Sequence, residues 1–203
     1  MMVLGLTGPT GAGKGAVSAA FAKLYGIPSI DTDRVYHDLL VPPSACLDEL
    51  VAAFGAEILS EDGCLNRAVL SKIVFSDASR EKQTQLNHIT HKYVLARTEE
   101  MLQAYRLDGM PAALVDAPLL YESGFDAKCD KVIAVLAPMD VRKARIIARD
   151  GLSEERAVAR LNMQKPDEFY TSQAQFVIVN DGNLEALTDR VGQIISDLGV
   201  MHE

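Results

Sequence analysis

The chain predicts an α/β fold in which helices cover a five-stranded parallel sheet, and three observations predict it. Five short apolar runs, MVLGLT (2–7), IPSID (27–31), AALVDA (112–117), KVIAVLA (131–137) and FVIVN (176–180), are bounded by Gly, Pro, Asp or Asn, as suits strands buried on both faces. Longer helix-like stretches lie between them, at about 14–25, 33–40, 44–54, 66–74, 80–106, 139–149, 153–164 and 183–198. That alternation is the pattern of a doubly wound sheet. A glycine-rich segment stands where the first strand gives way to the first helix.

The elements follow in order. The N-terminal MMVLGLTGPT is apolar, but it lacks a basic n-region and reaches Gly8-Pro9 at once, so it reads as a core strand and not as a signal peptide. Between the second and third strands lie roughly 80 residues of helical pattern, too long for one crossover. They predict a helical insertion at the sheet's edge. A second helical excursion, about 139–165, is expected over the top of the sheet, with Ser153 as an N-cap. Phe21, Phe54, Phe75, Phe176 and the methionines read as core filling.

The 203 residues fit one domain carrying an insertion, and this length needs no disulfide or metal to hold a core. With 20 Lys+Arg against 28 Asp+Glu the net charge is −8, which disfavours broad binding to nucleic acid or to anionic membranes. No basic–aromatic stripe suits nucleic acid, and no apolar stretch approaches the about 18–20 residues of a membrane span. Cys46, Cys64 and Cys129 form no CxxC pair and read as reduced thiols of a cytoplasmic protein.

Gly8-Pro9-Thr10-Gly11-Ala12-Gly13-Lys14 fits G-x-x-x-x-G-K, a loop whose backbone N–H groups surround phosphates while Lys14 reaches the β/γ oxygens. Side chains at Gly11 and Gly13 would block close approach, and the helix N-terminus favours an anion. The competing reading is a strand-to-helix turn with a solvated lysine. Such loops end in Lys followed by Ser or Thr, whose hydroxyl ligates Mg²⁺; here Gly15 and Ala16 follow, with no hydroxyl. Either water, a carboxylate and the nucleotide hold the metal, or the activity is weak.

The second strand ends in Asp31-Thr32-Asp33. Ligands of open α/β sheets bind beyond the carboxyl ends of strands, so both carboxylates are candidates to face the loop, to take a hydroxyl proton or to help hold Mg²⁺. Asp33 reads equally well as the cap of the next helix.

GLTGPTGAGKG, IDTD, FGAEILSEDGCLNR (54–67) and DAPLLYESG (116–124) together resemble the successive landmarks of the dephospho-CoA kinases. Further matches are Arg145 to Asp150, Arg160 to Gln164 and Val177 to Gly182, so the resemblance spans essentially the whole chain. It implies a P-loop NTPase fold, three-layer α/β/α, with a helical CoA-binding insertion and a lid. On that pattern the core takes about 1–32, 110–138 and 170–203, the acceptor-binding insertion about 33–109 and the lid about 139–169. The implied reaction moves the γ-phosphoryl of ATP to the ribose 3′-hydroxyl of dephospho-CoA, the last step of coenzyme A synthesis, with Mg²⁺ accompanying ATP.

The resemblance also implies roles. Asp33 is the base or orienter of the hydroxyl and Asp31 its helper. Lys14, with Gly11, Ala12, Gly13, Gly15 and Ala16, binds the phosphates. Arg67, His91, Pro118, Leu119, Leu120, Glu122 and Arg160 belong to the acceptor side. Asn180 and Gly182 approach adenine. Arg145 and Arg149 act in the transition state, with Arg142 peripheral; the competing reading is a solvated basic face paired with Glu154 and Glu155. Where the family carries His-Pro this chain has His91-Lys92. His88 and His91 sit at i, i+3 with no third metal ligand nearby. Two rivals stand beside this reading: another nucleoside or nucleotide kinase of the same fold, and a non-catalytic nucleotide or CoA-binding protein motivated by Gly15. Oligomeric state is open, with a monomer favoured.

Overall fold

A computed structural model describes residues 1–76 and 79–200. Residues 201–203, the end of the expected core segment, lie outside those described. The apolar runs form β1 (Met2–Thr7), β2 (Ser29–Asp31), β3 (Ala112–Asp116), β4 (Lys131–Leu136) and β5 (Phe176–Val179). All pairings are parallel, in the order β2-β3-β1-β4-β5. β2 begins two residues later than its apolar run. Pro28 has no N–H to give a ladder, and the Ile27 N–H closes the preceding helix on Phe21 O.

The helices are α1 (Lys14–Tyr25), α2 (Thr32–Asp38), α3 (Ala45–Phe54), α4 (Arg67–Phe75), α5 (Glu81–Leu107), α6 (Met139–Asp150), α7 (Glu154–Asn162), α8 (Asp167–Thr171) and α9 (Leu184–Leu198). α8 has no counterpart among the expected elements. Its signals are present nonetheless: Pro166 immediately before it and Asp167 and Glu168 in its first turn, a favourable charge for a helix start.

The chain divides into two compact units, Met1–Asp31 with Leu102–Glu203, and Thr32–Met101. In the first, β1 is central, and Leu4 and Leu6 on one of its faces join Leu114, Ile133 and Val135 from the flanking strands. Val17 and Phe21 of α1 and Val191 and Ile194 of α9 cover that face, each buried side chain contributing about 1.5–3 kcal/mol. Gly5 alternates to the other face, where a Cβ would come within 2.8 Å of Leu120 and 2.9 Å of Cys129. Among the described residues no helix is long and apolar enough to cross a membrane.

The second unit has its own core of Leu40, Cys46, Leu50, Phe54, Ile58, Leu70, Val74 and Ile89. Its helices start on side-chain caps: Ser44 accepts from Leu47 N and Asn66 from Val69 N, each at 3.2 Å. Three residues expected in the core are outside it: Phe75 is 70% exposed, Met139 57% and Met163 85%. Leu70 and Val74, one turn apart, already fill the buried stripe of α4, and Phe75 is rotated off it.

Candidate active site

β1 hands directly to the glycine-rich loop, and α1 begins at Lys14 with Gly13 as its N-cap. The glycines are needed first by the protein itself. Gly11 has φ +80°, and a Cβ on it would lie 2.8 Å from the carbonyl oxygen of Arg142. Gly13 has φ +95°, and its Cβ would lie 2.2 Å from Asn180 Nδ2. The expected reason, room for phosphates, is joined by a second one: α6 and the end of β5 press on the loop. Gly15 is different, with open space around it.

Three successive carbonyls of the loop are held by side chains from far along the chain. Arg142 Nε donates to Thr10 O at 3.0 Å. Arg145 Nη1 donates to Gly11 O at 3.3 Å and to Ala12 O at 3.2 Å, and Asn180 Nδ2 donates to Ala12 O at 3.0 Å. In a trans peptide the N–H points opposite the C=O, so fixing these carbonyls turns the N–H groups of Gly11 and Gly13 the other way. One end of the loop is closed by Ala12 N to Pro9 O at 3.2 Å, and Lys14 Nζ donates to Gly8 O at 3.1 Å.

The structure corrects several expected roles. Arg142, read as peripheral, is the most buried of the three arginines, with its side chain 7% exposed. Burial lowers its pKa, with Asp167 at 3.9 Å pulling the other way. Arg145 spends its guanidinium on the loop and on Asn180, to which it donates at 3.2 Å (main-chain O) and 3.1 Å (Oδ1). Asn180 is buried with its side-chain amide taken by Ala12 and Arg145, so that side chain braces the loop; Gly182, its companion in the expected adenine contact, is exposed with φ +113°. Arg149 and Arg160 both close on Asp150, at 2.7 and 3.0 Å and at 2.6 Å. The two arginines hold the Asp150 carboxyl below its usual range, Arg149 more strongly. The expected pairing of this basic face with Glu154 falls instead to Lys143, at 2.5 Å.

Beyond β3, Pro118 is half-buried and Glu122 exposed, and Leu119 is 51% exposed. Leu120, expected on the acceptor side, is fully buried against Gly5 and belongs to the core. Tyr121 anchors the segment by donating its hydroxyl to Tyr170 O at 3.0 Å.

The strand ends bring one unforeseen residue to the site. Asp31 and Asp116 are register partners at the carboxyl ends of β2 and β3, and Asp116 also lies level with Leu6, two residues before Gly8. The signal was visible: AALVD is an apolar run ending in Asp. Mg²⁺ favours one or two carboxylates plus waters and substrate phosphates, so this adjacent pair of hard oxygen donors fits it. Among the described residues no group of three or more His, Cys, Asp or Glu forms a protein-only metal cage. β2 ends at Asp31 and α2 starts at Thr32, so Asp33 lies within the first turn of α2 and neither extends the strand's alternation nor caps the helix from outside.

In the second unit, Arg67 opens α4 and contacts His37 Nδ1 on α2. A tight turn delivers it: Asp62 accepts from Ser60 Oγ at 2.7 Å and Cys64 N at 3.1 Å. α5 runs unbroken through His91-Lys92. Without proline there, Lys92 pairs with Glu49 of α3, and Tyr93 donates its hydroxyl to the same carboxylate at 2.7 Å. The cysteines are free; burial pushes Cys46 up and Cys129 up to about 12, which keeps them as inert thiols.

A loop that turns its amides one way at the head of a helix, beside strand-end carboxylates, is built to grip a polyphosphate while chemistry proceeds at its end. Fold and loop together define a phosphate-loop kinase. The family model "Dephospho-CoA kinase" matches residues 2–186, and the chain belongs to that family. A dephospho-CoA kinase from Anaeromyxobacter dehalogenans is 38% identical over 98% of this chain and 92% of its own. A structure from Thermus thermophilus superposes with a TM-score of 0.78 at 30% identity, covering 97% of each chain. The dephospho-CoA kinase from Campylobacter jejuni gives 0.69 at 28% identity, covering 98% of each.

Proposed function

We propose that this chain works in the cytoplasm, transferring the γ-phosphoryl group of ATP to the ribose 3′-hydroxyl of dephospho-CoA, with Mg²⁺, to give coenzyme A and ADP. The observation that carries this reading is the phosphate loop, whose carbonyls at Thr10, Gly11 and Ala12 are bound away on one side by Arg142, Arg145 and Asn180. The family match over residues 2–186 supplies the acceptor.

In this reading the loop over residues 11–16 holds the β- and γ-phosphates through the N–H groups of Gly11 and Gly13 and through Lys14, while the Ala12 and Ala16 N–H groups brace the loop on Pro9 O and Gly13 O. Asp33 accepts the proton as the 3′-oxygen forms its bond to γ-phosphorus and the bond to the bridging oxygen of ADP breaks. Asp31 and Asp116 are the residues that would hold Mg²⁺, which neutralises charge on the phosphates. Arg145 keeps the loop in shape. Arg149, at the end of α6 and closed on Asp150, is the arginine that meets the charge spread over the transferred group. Arg67, His91, Pro118, Leu119, Glu122 and Arg160 serve the acceptor.

Coupled ADP release with ATP, Mg²⁺ and dephospho-CoA tests the reading, with AMP and CMP as rival acceptors. Release only with dephospho-CoA supports it; release with a nucleoside monophosphate instead assigns a different kinase of this fold. ATP binding with no release on any acceptor favours a nucleotide sensor, the reading that the missing hydroxyl at Gly15 motivates. Asp33→Asn is expected to lower kcat by roughly 10²–10⁴ while ATP still binds. Unimpaired turnover returns Asp33 to a helix-start role.

A further inference from the structure

Gln164 lies just beyond α7, outside the loop and outside every role assigned above, yet its Oε1 accepts the Thr10 N–H at 3.0 Å across 154 residues of chain. On the other side of the same residue, Arg142 Nε donates to Thr10 O at 3.0 Å. We infer that Gln164 and Arg142 are positioning residues that clamp the two peptide groups flanking Thr10 and so aim the Gly11 N–H at the phosphates. This rests on the loop being the ATP site.

The geometry shows why a clamp is needed there. Pro9 O accepts from Ala12 N at 3.2 Å, which makes Thr10 and Gly11 the centre of a turn, and Gly11 has φ +80°. Turns with a glycine of positive φ at the third place differ from the commoner kind by a flip of the central peptide. That peptide is Thr10 C=O with Gly11 N–H. Arg142 holds the carbonyl on the α6 side, so the amide faces away from α6. Gln164 fixes the preceding peptide and so stops the turn from rocking. Both clamp residues are themselves held: Arg142 is 6% exposed, and the Gln164 N–H donates to Leu161 O at 3.0 Å beside the small core of Ile146, Ala157 and Leu161. The chemistry at 164 is specific, because a backbone N–H demands an acceptor. Glutamine and glutamate supply one at this length; leucine supplies none.

The test combines binding with a spectroscopic readout on the full chain. Gln164→Leu is expected to raise the ATP dissociation constant about tenfold, the net worth of one hydrogen bond, and to leave adenosine binding unchanged, since adenosine carries no phosphate. In the nucleotide-free protein its Thr10 amide proton resonance should move upfield, while Gln164→Glu keeps that resonance in place. An unmoved Thr10 resonance in Gln164→Leu, or unchanged ATP affinity, overturns the clamp. Equal loss of adenosine and ATP binding also overturns it, because Gln164 then serves the base or the fold. If the leucine variant does not fold, Gln164→Asn, one methylene too short, gives the same readouts. Wild-type protein that binds no ATP overturns the loop reading and the clamp with it; normal wild-type binding with an insensitive Gln164→Leu overturns the clamp alone.

Discussion

Two glycine-containing turns in this chain present their functional groups by opposite means. The phosphate loop after β1 is held by side chains 132 to 168 residues away in sequence. The turn before Arg67 is held from within: Asp62 accepts from residues two places off, and Ser60 Oγ donates to Cys64 O four places on. Gly63 has φ +77° with nothing within 4 Å of a Cβ, whereas Gly11 and Gly13 combine positive φ with immediate neighbours. A local turn needs a glycine for its backbone alone. A turn held from a distance needs one for its neighbours as well.

That contrast breaks most sharply at the glycines. Gly13→Ala should cost more than about 1 kcal/mol of stability and abolish measurable ATP binding, because its Cβ meets Asn180 and its φ is unfavourable. Gly63→Asn, at a position that asparagine tolerates, should change thermal unfolding little and leave ATP binding alone. Calorimetric unfolding with nucleotide titration checks both; equal effects would dissolve the distinction.

A smaller effect comes from the local turn's acid. Hydrogen bonds from the Ser60 hydroxyl and the Cys64 N–H hold the Asp62 carboxyl below its usual range. A depressed carboxyl stabilises the fold above its unfolded value, about 3.9, and loses that contribution as pH falls through the lower folded value. Asp62→Ala should therefore lower Tm modestly near neutrality, converge with the parent in acid below about pH 4 and raise KM for the acceptor while sparing that for ATP. The Gly13→Ala deficit should show no such convergence.

The smallest effect is expected at Gly15. Gly15→Ser should shift stability by no more than about 0.5 kcal/mol and lower the Mg²⁺ concentration for half-maximal rate. An unchanged Mg²⁺ requirement would show that position 15 does not meet the metal.

The strands, α1 and the cap at Ser153 are legible because short-range rules write them: apolar runs for buried strands, a side-chain oxygen three residues before the amide it binds. The aspartate at the end of AALVD was equally visible, though its pairing with Asp31 needs the sheet order. Illegible were the duties of Arg142, Arg145, Asn180 and Gln164. Each is a polar residue on or beside an ordinary element, and only its partner separates a nucleotide contact from a strut. Leu120 and Phe75 make the same point in reverse. Both are apolar, and only tertiary packing buries one against Gly5 and leaves the other 70% exposed.

By itself, then, the sequence determined a parallel α/β scaffold, a phosphate loop at the head of α1 and the family, since each is carried by contiguous residues. Tertiary structure alone decided which way the loop's amides face. That direction is set by hydrogen bonds from α6, the turn after α7 and the end of β5, joining groups more than 130 residues apart. No local propensity favours one partner at such a separation over another; the folded sheet brings the partners together.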